Sequence, residues 1–230
     1  MPMKGSGRAT TWEEIDRFGD EESGGVGWIA YPDERMERAS HAIAVDGDVY
    51  VIDPVDAEGI DDLFAEFGDV AGVVILLDRH KRDAAAIATR HDVPVYVPHF
   101  MADIAGDISA PVEPFHRELE DTGYAAHSIV DNVAWSEAAL YGEDTDVLVV
   151  PEAVGTAEYF LTGRERLGVH PALRLVPPKK LGRLSPERVL VGHGDGIHDG
   201  ATDALQDAIS GSRGRTPSLY FNIVKQTLPM

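Results

Sequence analysis

Cysteine is absent from this 230-residue sequence. Its absence excludes disulfides, thiolate zinc sites, iron–sulfur clusters and cysteine nucleophiles, so imidazole, carboxylate, hydroxyl and guanidinium groups must carry any chemistry. Long hydrophobic runs are missing too. No segment is apolar over the length that a signal peptide or a membrane span needs. These absences predict a cytoplasmic protein without a membrane partner.

Basic residues are also scarce. The sequence has 40 acidic residues against 20 basic ones, which gives a formal net charge of −20, and only five of the basic residues are lysine. Such a chain would be repelled by nucleic acid and by anionic membranes, so neither is expected as a partner. The dispersed acidic residues favour a halophilic protein whose surface charges are screened by high salt, and the plainer alternative is an acidic soluble protein.

The hydropathy pattern predicts one folded domain. Residues 24–215 alternate short apolar strands with helical segments, and no repeat or linker divides them. Residues 1–23 are expected to form a polar N-terminal extension with a short helix over residues 12–18. Residues 216–230 are expected to form a C-terminal tail after a helix over residues 201–209.

The first half of this domain reads as a β-hairpin followed by a β-α-β-α-β run. Asp46 and Gly47 lie between two apolar stretches, and an Asp-Gly pair in that context indicates a type I′ turn. Apolar residues recur at helical spacing over residues 57–67, and apolar strands follow at residues 73–77 and 93–97. Part of the sheet should therefore be parallel.

Two apolar strands run directly into polar turns. Strand 73–77 opens into the six polar residues 78–83, and strand 188–191 opens into a Gly-His-Gly turn around His193. Ligands of α/β proteins bind beyond the carboxyl ends of strands. The two turns are therefore expected to contribute to one site.

Four features follow one another over roughly residues 25–210. An Ile-Asp-Pro sequence around Asp53 ends the hairpin, an apolar strand opens into a polar turn, a later strand ends near the acid Glu152, and glycines flank His193. This order resembles the metallo-β-lactamase superfamily. The resemblance implies an α+β fold, a four-layer αββα sandwich with mixed sheets inside and helices on the outer faces, and hydrolase-like chemistry.

In that family the polar turn carries His-x-His-x-Asp-His, which helps to hold two zinc or iron ions and a bridging hydroxide. On this sequence the four positions fall on Asp78, His80, Arg82 and Asp83. Only His80 matches. A third family histidine falls near Val133, which has no ligand atom, while the bridging aspartate falls on Glu152 and the last histidine on His193.

The resemblance therefore implies a divergent branch with a degenerate metal motif. The candidate metal ligands are Asp78, His80, Asp83 and His193. The candidate catalytic residues are His80, Asp83, Glu152 and His193. Asp53 is expected to orient neighbouring loops or a ligand histidine rather than to react.

Arg79 and Arg82 are the candidate residues for binding an anionic ligand. A guanidinium cannot coordinate a metal and repels a dication, so Arg82 stands where a metal-binding carboxylate is expected. We expect one of these arginines to form an ion pair with a neighbouring acid, namely Asp78, Asp83 or Glu152. An internal salt-bridge network is the alternative role for the same arginines.

Two functions remain open at this stage. The first is a metallo-β-lactamase-fold protein with an eroded metal site, which binds a small anionic ligand or a partner without a dinuclear centre. The second is a hydrolase of an ester, thioester or lactone that uses one zinc, iron or manganese ion, with Asp83 or Glu152 as the proton acceptor. The residues present favour the first slightly. The sequence names neither a substrate nor an oligomeric state.

Overall fold

The computed structural model describes residues 2–20 and 23–227, with side chains described as far as residue 222. The larger of two central sheets contains β1 (Glu13–Gly19), β2 (Ser23–Ile29), β3 (Ala39–Val45), β4 (Asp48–Ile52), β5 (Asp69–Val74), β6 (Val95–Pro98) and β7 (Val112–Phe115), in that order. The smaller sheet contains β8 (Tyr124–Asn132), β9 (Trp135–Gly142) and β10 (Val147–Val150). A separate two-stranded sheet of β11 (Val154–Gly155) and β12 (Gly168–Val169) follows in the chain, and β13 (Arg188–Val191) then completes the smaller sheet. The α-helices are α1 (Ile60–Ala65), α2 (Ala84–His91) and α3 (Ala201–Thr227).

The larger sheet is antiparallel in its first half and parallel in its second. Strands β1 to β4 pair as antiparallel neighbours. Asp46 and Gly47 take φ values of 53° and 83° between β3 and β4, as the predicted type I′ turn requires. The helices α1 and α2 then connect β4, β5 and β6 as parallel neighbours, which agrees with the predicted β-α-β-α-β run.

The smaller sheet has the order β13-β10-β9-β8. The strands β8 and β9 form an antiparallel hairpin, and β10 is antiparallel to β9 but parallel to β13. Both sheets are therefore mixed. Because β10 and β13 run in the same direction, the residues that follow them emerge at the same edge of the sheet.

Three apolar clusters define the layers. Ile43 and Leu140 belong to the cluster between the two sheets. Phe64 of α1 and Ile87 of α2 pack on the outer face of the larger sheet. Leu205 of α3 packs on the outer face of the smaller sheet. The order helix, sheet, sheet, helix is the αββα sandwich that the sequence predicted.

Residues 13–19 differ from the prediction, because they form strand β1 and not a helix. A short isolated helix is marginal in water, whereas pairing with β2 satisfies the backbone hydrogen bonds of this segment. Asp16 also turns inward, and its Oδ1 lies 2.7 Å from Nη1 of Arg188. The predicted N-terminal extension thus contains an edge strand of the larger sheet.

Helix α3 is longer than predicted. The sequence placed its end at residue 209 before Gly211, but the helix continues to Thr227 and contains Pro217. Ser212 and Leu219 are buried, and the Ser212 hydroxyl donates to the Arg174 carbonyl at 2.9 Å. Tertiary packing therefore stabilises turns that glycine alone would weaken. The predicted tail begins within this helix.

None of the described helices is long and apolar enough to cross a membrane.

A buried ion pair holds the long connection between β10 and β13. The guanidinium of Arg174 donates to both carboxylate oxygens of Glu165, at 3.0 and 2.7 Å, and both side chains are fully buried. Arg174 also donates to the carbonyls of Val169 and Phe160. Because the Arg174 guanidinium donates to three different residues of this connection, the pair fixes the path of a segment that has little regular structure.

We expect Arg174→Ala to lower the free energy of unfolding by about 3–5 kcal/mol, because the buried Glu165 carboxylate would lose the guanidinium that binds both of its oxygens. Arg215 provides a matched control, since its guanidinium is 34% exposed and lies 3.4 Å from the same carboxylate. Arg215→Ala should cost about 0–1 kcal/mol. Denaturant unfolding followed by circular dichroism measures both variants, and equal losses would contradict the buried role of Arg174.

Candidate functional site

Residues that follow three different strands meet at one edge of the sandwich. His80 lies in the turn beyond β5, Glu152 follows β10, and His193 follows β13. One ligand atom from each of these three residues lies within 4.8 Å of the others. The structure thus brings together three of the predicted site residues, which are far apart in sequence.

His80 is held by Asp53. The His80 Nδ1 and the Asp53 Oδ2 are 3.0 Å apart, and the Asp53 Oδ1 accepts from the Leu76 amide at 3.0 Å. Burial raises the pKa of Asp53 to about 7, against the opposing charge of Arg82. Burial and the nearby charge of Arg82 hold the pKa of His80 well below its usual range. Asp53 therefore orients a neutral imidazole, in line with the role expected for it.

His193 is fixed in one tautomer. Its Nδ1 lies 2.8 Å from the Met36 carbonyl, and because a carbonyl only accepts, Nδ1 carries the proton. The lone pair on Nε2 is buried and has no hydrogen-bond partner among the described residues. Gly192 permits this placement, since a Cβ there would lie 2.2 Å from the Pro151 carbonyl oxygen.

The guanidinium of Arg82 lies beneath the two histidines. Its Nη1 donates to the carbonyls of Ala39 and Asp53 at 2.6 and 2.7 Å. Its Nη2 donates to the Gly192 carbonyl at 3.1 Å and lies 3.3 Å from the His80 Nε2. Burial lowers the pKa of Arg82 to about 10, so it remains a cation at neutral pH. The protein thus carries a buried positive charge against its own imidazoles.

Glu152 and Arg79 form the outer side of the site. The Arg79 Nη2 donates to the Glu152 Oε2 at 2.9 Å, and its guanidinium lies 4.3 Å from the ring centre of Trp135. The same Glu152 oxygen is 4.0 Å from the His80 Nε2, and the other is 3.5 Å from the His170 Nε2. Arg79 is 42% exposed, so its remaining N–H groups can reach a ligand.

Asp78 and Asp83, predicted as metal ligands, lie outside this group. The Asp78 Oδ2 accepts from the Ser136 amide at 2.9 Å. The Asp83 Oδ2 accepts from the Asp56 amide at 2.9 Å. Both carboxylates therefore stabilise neighbouring loops. The described group of metal-binding residues contains neither of them.

Sequence reasoning missed two residues that shape the site. Glu137 is fully buried in β9 and accepts from the amides of Glu152 and Ala153, both at 2.7 Å, so it positions Glu152. Burial raises the pKa of Glu137 to about 7. The sequence did contain a signal for Glu137, because an acidic residue within an apolar strand indicates a buried polar role. His170 comes from an irregular segment, where the sequence offered no pattern to read.

The resemblance implied a dinuclear metal centre, and the residues present do not fit one. Within the described residues the group offers three donors, of which the His80 Nε2 already faces Arg82 and Glu152 already pairs with Arg79. A dication about 4 Å from a guanidinium meets a repulsion of roughly 8 kcal/mol at an effective dielectric constant of about 20. The spacing of the three donors and the free lone pair of His193 favour a metal.

Comparison with known proteins shows the fold. No protein-family model matches the chain, and neither does any curated protein sequence. The DIM-1 metallo-β-lactamase is 12% identical with a TM-score of 0.58, over 88% of this chain and 100% of that one. The chemotaxis sensor ODP from T. denticola is 14% identical with a TM-score of 0.55, over 87% and 94%.

A flavo di-iron protein variant from Thermotoga maritima is 14% identical with a TM-score of 0.61, over 89% of this chain and 62% of that one. These neighbours differ in what their names say they do. What they share with this chain is its arrangement of two sheets and flanking helices. The chain has the metallo-β-lactamase fold.

We expect His80 and His193 to stay neutral in the folded protein as the pH falls well below 6.5. Burial and nearby positive charge hold the pKa of both well below that value. In an unfolded chain the same groups protonate near about 6.5, so each contributes stability that is lost as the pH falls below about 6.5.

Nitrogen-15 chemical shifts of the imidazoles across a pH titration measure this directly, with urea-unfolded protein as the control. A folded protein in which either histidine gains a proton near pH 6.5 would contradict the geometry.

Proposed function

We propose that this protein binds a small anionic ligand and that the Arg82 guanidinium replaces the dinuclear metal of the fold. The observation that supports this most is the 3.3 Å contact between the Arg82 Nη2 and the His80 Nε2. That contact uses the lone pair that a metal would need. A permanent cation in that place stabilises the neutral imidazoles without any ion from solution.

Arg79 is the anion contact in this proposal. One of its N–H groups binds Glu152 and another lies 3.4 Å from the Ala134 carbonyl, which leaves further donors on an exposed, planar group. Arg82 itself has Nη1 and Nη2 engaged by protein atoms, so those two groups contribute charge and do not contact the anionic group directly. The expected ion pair between an arginine and Glu152 is formed by Arg79.

A single-metal hydrolase is the second candidate. It is favoured by the donors of His80, Glu152 and His193 within 4.8 Å and by the free lone pair of His193. The side chains would then hold one zinc, iron or manganese ion, which supplies Lewis-acid activation of a water for attack on an ester, thioester or lactone. This candidate requires the Arg82 Nη2 to leave His80.

Metal content separates the two candidates. Protein purified without chelator should contain far less than one equivalent of zinc, iron or manganese, because Arg82 occupies the charge-bearing position. Arg82→Asp should take up about one equivalent, since it removes the cation and adds a carboxylate. Lys81→Asp is the control, because it makes the same charge change where the side chain pairs with Asp107.

Metal is measured by mass spectrometry, and circular dichroism verifies that each variant is folded. Near one equivalent in the wild-type protein would overturn the metal-free proposal whatever the variants do. Chelator-sensitive ester or lactone hydrolysis that His193→Ala abolishes would then establish the second candidate.

Anion binding is tested by thermal unfolding at constant ionic strength. Phosphate and small carboxylates should raise the melting temperature of the wild-type protein, because a ligand at about one hundred times its dissociation constant adds about 2.7 kcal/mol of stability. Arg79→Gln should lose the shift. Lys81→Gln should keep it, since Lys81 has the same charge but faces Asp107. A shift that survives Arg79→Gln would rule out Arg79 as the contact.

A further inference from the structure

Two buried polar atoms at the site have no partner among the described residues. One is the Arg82 Nε, whose N–H can only donate, and the other is the His193 Nε2, whose lone pair can only accept. Both side chains are otherwise hydrogen-bonded, Arg82 through Nη1 and Nη2 and His193 through Nδ1. Buried groups of this kind are normally paired, so an unpaired donor and an unpaired acceptor at one site point to a bound group, either a ligand or a water molecule.

Arg82 lies against the histidine pair. In a planar guanidinium, Nε–H and one Nη2–H bond point from the same edge. Nη2 of Arg82 faces the His80 Nε2 and the carbonyl of Gly192, which directly precedes His193. The His80 and His193 ring centres are 5.5 Å apart. The edge of Arg82 that carries the unpaired Nε–H therefore borders the histidine pair.

The group that satisfies both atoms must accept one hydrogen bond and donate another. A carboxylate accepts from Arg82 but cannot donate to His193. An ammonium donates to His193 but is repelled by Arg82. A hydroxyl does both, because it has lone pairs and one proton. The chemistry of the two atoms thus selects a hydroxyl, from an alcohol or from water, over a simple anion or an amine.

Arg79 supplies the second half of the recognition. Its Nη2 lies 2.9 Å from Glu152, and the ligand atom of Glu152 lies within 4.8 Å of that of His193. The Glu152 carboxylate therefore borders both the exposed guanidinium of Arg79 and the imidazole of His193. A ligand that binds Arg79 through an anionic group needs only a short carbon chain to place a hydroxyl by His193.

Building on the proposed anion-binding function, we propose that the ligand is a small hydroxycarboxylic acid whose hydroxyl bridges the Arg82 Nε and the His193 Nε2. Its carboxylate binds the open side of Arg79 beside Trp135. The rings of Tyr159 and Phe160, centred 5.9 and 6.0 Å from that of His193, supply the apolar side of the site.

The experiment compares ligand pairs that differ only by a hydroxyl: glycolate with acetate, lactate with propionate, and 3-hydroxybutyrate with butyrate. Isothermal titration calorimetry on the wild-type protein should give an affinity at least about tenfold higher for one or more hydroxy acids than for the matched acid. A buried site that hydrogen-bonds a hydroxyl rejects the analogue that lacks it.

Variants test the assignment of atoms. His193→Phe should abolish the preference for the hydroxyl, whereas His193→Gln, which keeps an acceptor, should retain part of it. His116→Phe is the control, because it makes the same change at a histidine that stacks on His99 and not on His193.

Equal affinities within each pair would overturn the hydroxyl inference and leave the anion proposal standing. No binding by any member of the pairs or by phosphate would overturn both proposals. A hydroxyl preference that persists in folded His193→Phe would place the hydroxyl elsewhere and contradict this inference.

Discussion

The buried guanidinium of Arg82 is the interaction on which the site depends. It reaches carbonyls at Ala39 in β3, at Asp53 after β4 and at Gly192 after β13. Because β3 and β4 belong to the larger sheet and β13 to the smaller one, Arg82 connects the two sheets at the edge of the sandwich that carries the site. Hydrogen bonds to a charged donor are worth about 1.5–3 kcal/mol each, so this cation has a structural role as well as an electrostatic one.

The residues around Arg82 are suited to either of two kinds of cation. A metal ion and a guanidinium both require neutral imidazoles whose lone pairs face the positive charge. Asp53 orients His80, and the Met36 carbonyl orients His193, whichever cation lies between them. The residues that orient the histidines are therefore compatible with a change in the cation itself.

The net charge of the whole protein and the positive charge at the site have opposite effects on an anionic ligand. The net charge of −20 repels an approaching anion, whereas Arg79 attracts it at short range. In 1 M salt the Debye length is about 3 Å, so the long-range repulsion by the net charge is screened while contacts at the site stay largely intact. The halophilic interpretation of the composition and the proposed anion site are thus physically compatible.

The local elements were predictable because they depend on patterns between near neighbours, and the fold class followed from the family resemblance that their order carries. The Asp46-Gly47 turn follows from positive φ, and the strands around residues 73–77 and 188–191 follow from short apolar runs. Matching the Gly-His-Gly turn to the order of elements led to the αββα sandwich. The presence of a permanent cation at position 82 was also readable, because an arginine is charged in any environment.

Tertiary structure decided which side chains reach the site. Asp78 and Asp83 lie within three residues of His80 in the sequence, yet amides of Ser136 and Asp56 hold them elsewhere. Glu137 and His170 border the site although no local pattern marks them. Residue type and local periodicity are set by the sequence alone. The direction of a side chain in an irregular turn is set by hydrogen-bond partners that are distant in sequence and meet only when the two sheets pack.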